Sequence, residues 1–222
     1  MTAAAQDLFS RVAHEAVAGD GPRDELDRYY TPPAVAVGCA RWLAMQPEMS
    51  HLRERKRPHV LCPCAGDGAF LDAAADVWPR AHLHAQDIDP GATALYRHGL
   101  SSSRTADALA PPVDGPTYDL IIDNPPFRGA DRYVAAMMGR AGVVALLLPL
   151  NYAEGGKRWR GIHLEYPPAL IGVCIQRIAF KGPDKPSSPL AHAMFVWGVK
   201  RAPGADQLRG LDWRGLAAGG GV

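Results

Sequence analysis

From residue 59 onward short apolar runs alternate with segments of helical spacing, and that alternation constrains the fold more than any other feature. The strand-like runs are HVLCP (59–63), AHLHAQDI (81–88), YDLIID (118–123) and GVVALLLPL (142–150), with a shorter one near SSRTADA (102–108). Between them AFLDAAADVW (69–78), PGATALYRH (90–98) and DRYVAAMMGR (131–140) read as helices. Apolar strands separated by helices of this length form a parallel sheet wound by right-handed crossovers, so the predicted class is a Rossmann-like, doubly wound α/β domain. ALIGVCIQRIAF (169–180) and HAMFVWGVK (192–200), joined by the Pro-rich KGPDKPSSPL (181–190), predict an antiparallel hairpin closing one sheet edge.

The flanks add less. The 222 residues are 47% hydrophobic, enough for one domain with a sizeable core. Residues 1–27 predict an N-terminal helix and a polar connection, 28–200 the main domain, and 201–222 a Gly-rich tail, loosely docked or flexible. Thr31, followed by two prolines and AVAVGCARWLA (34–44), reads as the N-cap of a helix running to about Met45. Lys and Arg number 24 and Asp and Glu 23, so bulk basicity does not announce nucleic acid, and any such surface must be local. The first residues lack the pattern of a signal peptide and no run is long enough to span a membrane, which predicts a cytoplasmic protein. The cysteines, 39, 62, 64 and 174, have neither zinc-site nor disulfide spacing, so no metal is expected. His163 and His192 have no partners at ligand spacing and are assigned to structure.

Chemistry-bearing residues gather where strands end. LCPCAGDGAFL (61–71) ends one strand and opens a helix, and Gly66 and Gly68 permit a tight turn with close approach of a ligand. Such turns also form for packing alone. Asp87 ends the next strand, where a carboxylate can accept from ribose hydroxyls, while Asp89 fits better as a cap for the helix opening at Pro90. Asp107 ends the third and suits either an adenine amine or a turn. DNPPF (123–127) ends the fourth. All four converge on the usual ligand crevice of a doubly wound sheet.

This order of motifs, with RYYTPP (28–33) before the glycine turn, resembles the N6-adenine DNA methyltransferases whose cofactor motifs precede the catalytic one. The resemblance extends over roughly 28–200, and PLNYAEGGKRW (149–159) with the strands after it is similar to small phage-type members. It implies S-adenosylmethionine as cofactor, held by Tyr30 and Thr31 near the methionine end, by Pro63, Ala65, Gly66 and Gly68 at the turn, by Asp87 and Ile88 at the ribose, and by Asp107 and Ala108 near the adenine. One departure stands out: relatives place an acid where Cys62 or its neighbour stands, and Asp67 is the candidate to compensate.

The resemblance assigns catalysis to Asn124, Pro125, Pro126 and Phe127. An adenine amine is a poor nucleophile because its lone pair is delocalised into the ring. The Asn124 side-chain oxygen and the Pro125 carbonyl, accepting the two amine hydrogens, would localise that pair and aim it for in-line transfer. Each proline restricts the residue before it to extended conformations, so the acceptors are set in advance. Phe127 would stack on a base flipped out of the duplex. Lys157, Arg158, Trp159 and Arg160 are the candidate DNA contacts, against the alternative of a solvated basic loop; for RERKR (53–57) the solvated reading is preferred. The same tripeptide also serves RNA-adenine and protein-glutamine methyltransferases, and a non-catalytic binding module with this fold is a third reading. With no large recognition domain in the chain, a short or relaxed target site is expected, or help from a partner or a second copy.

Overall fold

The computed structural model describes residues 29–110, 117–180, 187–201 and 203–219; the expected N-terminal helix lies outside them. The first helix, α1 (Pro33–Met45), leads through a 3-10 turn into the short α2 (Ser50–Glu54). Then follow β1 (His59–Cys62), α3 (Ala69–Val77), β2 (His82–Asp87), β3 (Ser102–Thr105), β4 (Tyr118–Asp123), α4 (Ala130–Met137) and β5 (Ala141–Pro149). The remainder comprises α5 (Gly156–Arg158), continued by a π-helical turn over Trp159–His163, then β6 (Leu170–Cys174), β7 (His192–Trp197), β8 (Leu208–Leu211) and α6 (Trp213–Ala217).

The eight strands form one sheet in the order β3-β2-β1-β4-β5-β7-β6-β8. The first five are mutually parallel, and β7 runs antiparallel to both β5 and β6. This is the expected α/β class. Alternate residues of the central strands feed opposite layers, as a sheet covered on both faces requires. In β5, Val143, Ala145 and Leu147 join the core beneath α1 and α3, whereas Val144, Leu146 and Leu148 join that beneath α4.

Four expectations change. The hairpin does not close the edge, because β8 pairs in parallel with β6 beyond it. The segment 90–98 contains only a 3-10 turn, Thr93–Tyr96. Thr31 does not cap α1: the N-cap is Pro32, without a side-chain bond. The end of the chain is also not a loose tail over 208–217. Trp213 packs so closely on Gly38 of α1 that a Cβ there would lie 2.4 Å from the Trp213 carbonyl oxygen, and the Trp42 indole donates to the Gly210 carbonyl at 3.0 Å. The glycine that permits this approach is Gly38 on α1. Gly172 likewise leaves room for the Trp42 ring, which would lie 2.7 Å from a Cβ.

Trp213→Ala is therefore expected to destabilise the domain by about 3–5 kcal/mol in urea unfolding. A value near zero would restore the loose tail.

Candidate active site

The turn after β1 hangs between the two neighbouring strands. Parallel register sets Val60 and Leu61 opposite Leu120 and Ile121 of β4, and Cys62 opposite Ala85 of β2, so the ends of three strands emerge side by side. Successive amides of the turn are then taken up from either side. Cys64 N donates to Asp123 Oδ2 (2.6 Å), Ala65 N to the Gln86 carbonyl (2.9 Å) and Gly66 N to Asp87 Oδ2 (2.8 Å). Gly66 (φ 53°) and Gly68 (φ 90°) are left-handed, which suits glycine, and Gly68 begins α3. A Cβ on Gly66 would lie 3.1 Å from the Tyr30 ring, so glycine lets that ring close over the turn.

Around the turn opens a pocket with about 690 Å³ of empty volume, its open mouth included. Of the expected cofactor residues, Tyr30, Thr31, Ala65, Gly66, Asp87 and Ile88 line it. Four do not. Pro63 and Gly68 lie buried behind the turn, the Asp107 carboxylate accepts from Leu109 N (2.8 Å) in a local turn, and the Ala108 carbonyl accepts from Arg140 (2.7 Å). Asp87 also accepts from Asp89 N (2.9 Å), and a carboxylate with about four lone-pair sites retains capacity for hydroxyls. Asp89 accepts from Gly91 N (2.8 Å) within its own turn rather than capping a helix.

At the end of β4, Asn124 is oriented by its neighbours. Its Nδ2 donates to the Tyr29 carbonyl (2.9 Å) and to Thr31 Oγ1 (3.0 Å). A backbone carbonyl can only accept, so the amide nitrogen must face that way and Oδ1 must point in the other direction. There Oδ1 is buried with no hydrogen-bond partner. Thr31 thus matters through its hydroxyl, and Tyr29, which the sequence did not single out, through its backbone.

Phe127 belongs to an aromatic cluster. Its ring lies parallel to that of Tyr29 (6.1 Å between centroids, 10° between planes) and tilts or stands edge-on to His192 (5.6 Å) and Phe180 (6.3 Å). Both His192 ring nitrogens are buried without a partner, and burial pulls its pKa down to about 4, so the ring is neutral. His163, in contrast, has a structural partner in the Tyr152 carbonyl (2.9 Å).

The basic segment divides. Arg158 is used internally: it bonds Asp131 at the start of α4 (2.9 Å) and the Asn151 and Glu154 carbonyls, and its guanidinium covers the Tyr152 ring. Its expected DNA contact is thereby corrected to a structural role. Lys157, Trp159 and Arg160 stay exposed, with Trp159 at 59%. Arg158 thereby anchors the segment to α4, which directly follows the tripeptide loop. In the basic stretch before β1, Arg53 bonds the Gln46 carbonyl (2.9 Å) and Arg55 pairs with Asp119 (3.0 Å).

The residue before the tripeptide, Asp123, escaped the sequence reading. It is 2% exposed, and besides Cys64 N it accepts from Asn124 N (2.9 Å) and the Tyr133 hydroxyl (2.8 Å). Burial pushes its carboxyl up to about 7 against these bonds. Cys62 and Cys64 are also pushed well up by burial, which keeps the thiols protonated. Among the described residues no group of three or more His, Cys, Asp or Glu could hold a metal ion, and no helix is long and apolar enough to cross a membrane.

A carboxyl that holds its proton more tightly folded than unfolded favours folding at acid pH, and loses that contribution as pH rises from about 4 to about 7. The stability of Asp123→Asn relative to the parent should therefore rise with pH across that window, by up to about 1.4 kcal/mol per unit, and level off above it. Denaturant titrations at several pH values check the sign.

No family model matches the chain. Among curated proteins it is 30% identical over 138 residues to the type II methyltransferase M.XamI of Xanthomonas campestris pv. amaranthicola, a match covering 57% of this chain and 23% of that protein. The chain thus spans less than a quarter of that relative's length. A Listeria monocytogenes protein assigned to the class I S-adenosylmethionine-dependent methyltransferases superposes with a TM-score of 0.66 at 14% identity, covering 95% of this chain and 71% of the other. A modification subunit assigned to a type I restriction enzyme of Vibrio vulnificus YJ016 gives 0.56 at 17% identity, over 92% and 52%. The chain has the fold of the class I S-adenosylmethionine-dependent methyltransferases, and its pocket lies at the strand ends where such a sheet takes a nucleoside cofactor.

Proposed function

We propose that this domain transfers a methyl group from S-adenosylmethionine to the N6 amine of adenine in DNA. The observation that carries the reading is Asn124 Oδ1, a buried acceptor without a donor, held in that state because Tyr29 and Thr31 occupy the amide nitrogen. Leaving a buried acceptor unmade costs on the order of 1–3 kcal/mol, which an incoming amine hydrogen would recover. Asn124 lines the same pocket as the glycine turn and Asp87, so the acceptor and the cofactor groove share one space.

The residues fit the cofactor. Asp87 retains acceptor capacity for ribose hydroxyls, and left-handed Gly66 gives the turn its close backbone approach. When bound, the cofactor would supply an electrophilic methyl group and leave as the neutral thioether S-adenosylhomocysteine with the electrons of the broken C–S bond, and the methylated amine would lose one proton to solvent. The protein's part is to hold the amine: Asn124 Oδ1 and the Pro125 carbonyl accept its two hydrogens, and the lone pair is freed from the ring and directed at the methyl. Phe127, already within an aromatic cluster, stacks on the base, and exposed Trp159 with Lys157 and Arg160 contacts the strand. DNA is the preferred substrate because similarity reaches a type II methyltransferase and, in fold, a restriction-modification subunit.

The test is transfer from labelled cofactor to duplex DNA, single-stranded DNA, RNA and total protein in parallel. Label recovered from DNA as N6-methyl-2′-deoxyadenosine supports the proposal. Label in RNA or protein would replace the substrate, and no transfer to any acceptor would remove the activity. Asn124→Ala should lower turnover by about 10²–10³-fold with cofactor binding retained. Thr31→Val, which removes only the hydroxyl that orients the amide, should cost about tenfold in turnover. In DNA-binding titrations, Lys157→Ala with Arg160→Ala should reduce the slope of log affinity against log salt by nearly two, and an unchanged slope would exclude both residues from phosphate contact.

A further inference from the structure

Asp123 does more than its neighbours in sequence suggest. Its carboxylate accepts from the first amide of the cofactor turn, from the amide of Asn124 and from the Tyr133 hydroxyl of α4, so one side chain joins the two halves of the site to the helix behind them. It also lines the pocket. Among the described residues no Lys, Arg or His is paired with it. A carboxylate bonded by three donors, almost wholly buried and without a counter-charge, lacks one partner: a cation.

Cys62, at the end of β1 where an acid was expected, is buried and neutral. Asp67 also lines the pocket, and one of its carboxylate oxygens accepts from Ala69 N (3.3 Å) in a local turn. Asp123 reaches the same turn from the adjacent strand.

We propose that Asp123 supplies, from β4, the negative charge that receives the cationic cofactor, and that the same carboxylate positions the glycine turn relative to Asn124. This rests on the reading of the pocket as the S-adenosylmethionine site. Binding of the cation then favours the ionised carboxyl, so a proton leaves Asp123 as the cofactor enters at neutral or acid pH. The groups that face it are Cys62 and Cys64 from β1 and its turn, Asp87 from β2 and Tyr133 from α4. Both thiols and the Tyr133 hydroxyl are pushed well above their ordinary values by burial, so they do not titrate between pH 6 and 8.

The experiment is calorimetric titration of the full chain with S-adenosylmethionine, without a methyl acceptor, at pH 6, 7 and 8, on the parent protein, Asp123→Asn and Tyr133→Phe. The quantity read is the ratio of parent to variant affinity, because the cofactor's own amine titrates equally in both. We expect that ratio to grow about tenfold from pH 6 to 8, with Asp123→Asn at least about tenfold weaker at pH 8. A purely structural Asp123 would lower the melting temperature and leave the folded variant's affinity and its pH dependence equal to the parent's, which would overturn the inference. Tyr133→Phe removes one bond to the charged form, and should move the midpoint of the parent's pH dependence upward by about one unit. If Asp123→Asn does not fold, that shift decides, and an unmoved midpoint overturns the inference. Absence of binding by the parent would overturn the cofactor reading and this inference with it, whereas tight, pH-independent binding by all three proteins would overturn this inference alone.

Discussion

The glycine turn after β1 is suspended from both neighbouring strands, and the rest of the site depends on that suspension. A tight turn exposes amides that its own strand cannot satisfy, and a buried unpaired amide is costly. Here β2 supplies the Asp87 carboxylate and the Gln86 carbonyl, while β4 supplies Asp123. The partners come from opposite sides because β1 lies between β2 and β4 in the sheet. Its position in the strand order therefore sets the shape of the pocket floor.

The same carboxylate on β4 carries this order into the segment Asn124 to Phe127. Asp123 and Asn124 are adjacent in the chain, so a bond that fixes the turn also fixes the start of the tripeptide. On the far side, Asn124 is held by residues 29 and 31, which precede α1. Three distant parts of the chain thereby agree on one direction for one amide. That agreement leaves Oδ1 without a donor, a state that a buried polar atom occupies only where the surrounding structure enforces it.

Cover for the sheet serves the same end. α1 packs between α3 and the terminal strand and helix, with Gly38 against Trp213 and the Trp42 indole bonded to the Gly210 carbonyl, while the Trp42 ring lies over Gly172 of β6. These contacts hold the entry to α1, and with it Tyr29 and Thr31, over the pocket. The short end segment thus contributes to the site without touching it. Arg158 plays a comparable part on the other face, spending its charge on Asp131 and backbone carbonyls so that its neighbours Lys157, Trp159 and Arg160 are presented outward.

The sequence by itself determined the layer architecture, the parallel strands, the antiparallel pair near the end, the glycine turn and the place of Asn124 to Phe127 at a strand terminus. These follow from local signals: hydrophobic period, proline and glycine punctuation, and residues adjacent in the chain. Tertiary structure alone decided which candidate side chains reach the pocket and what each one does there. Asp107 looked like Asp87 in sequence, yet its carboxylate closes its own turn while that of Asp87 supports another strand's. Thr31 read as a helix cap and is instead the hydroxyl that orients Asn124. Asp123 read as the last residue of a strand, because nothing local distinguishes an exposed strand-end aspartate from one that closes over its neighbour. A hydrogen bond is set by the partner that folding brings within about 3 Å: for Asp87, Thr31 and Asp123 that partner lies tens of residues away, whereas Asp107 finds its own two residues on.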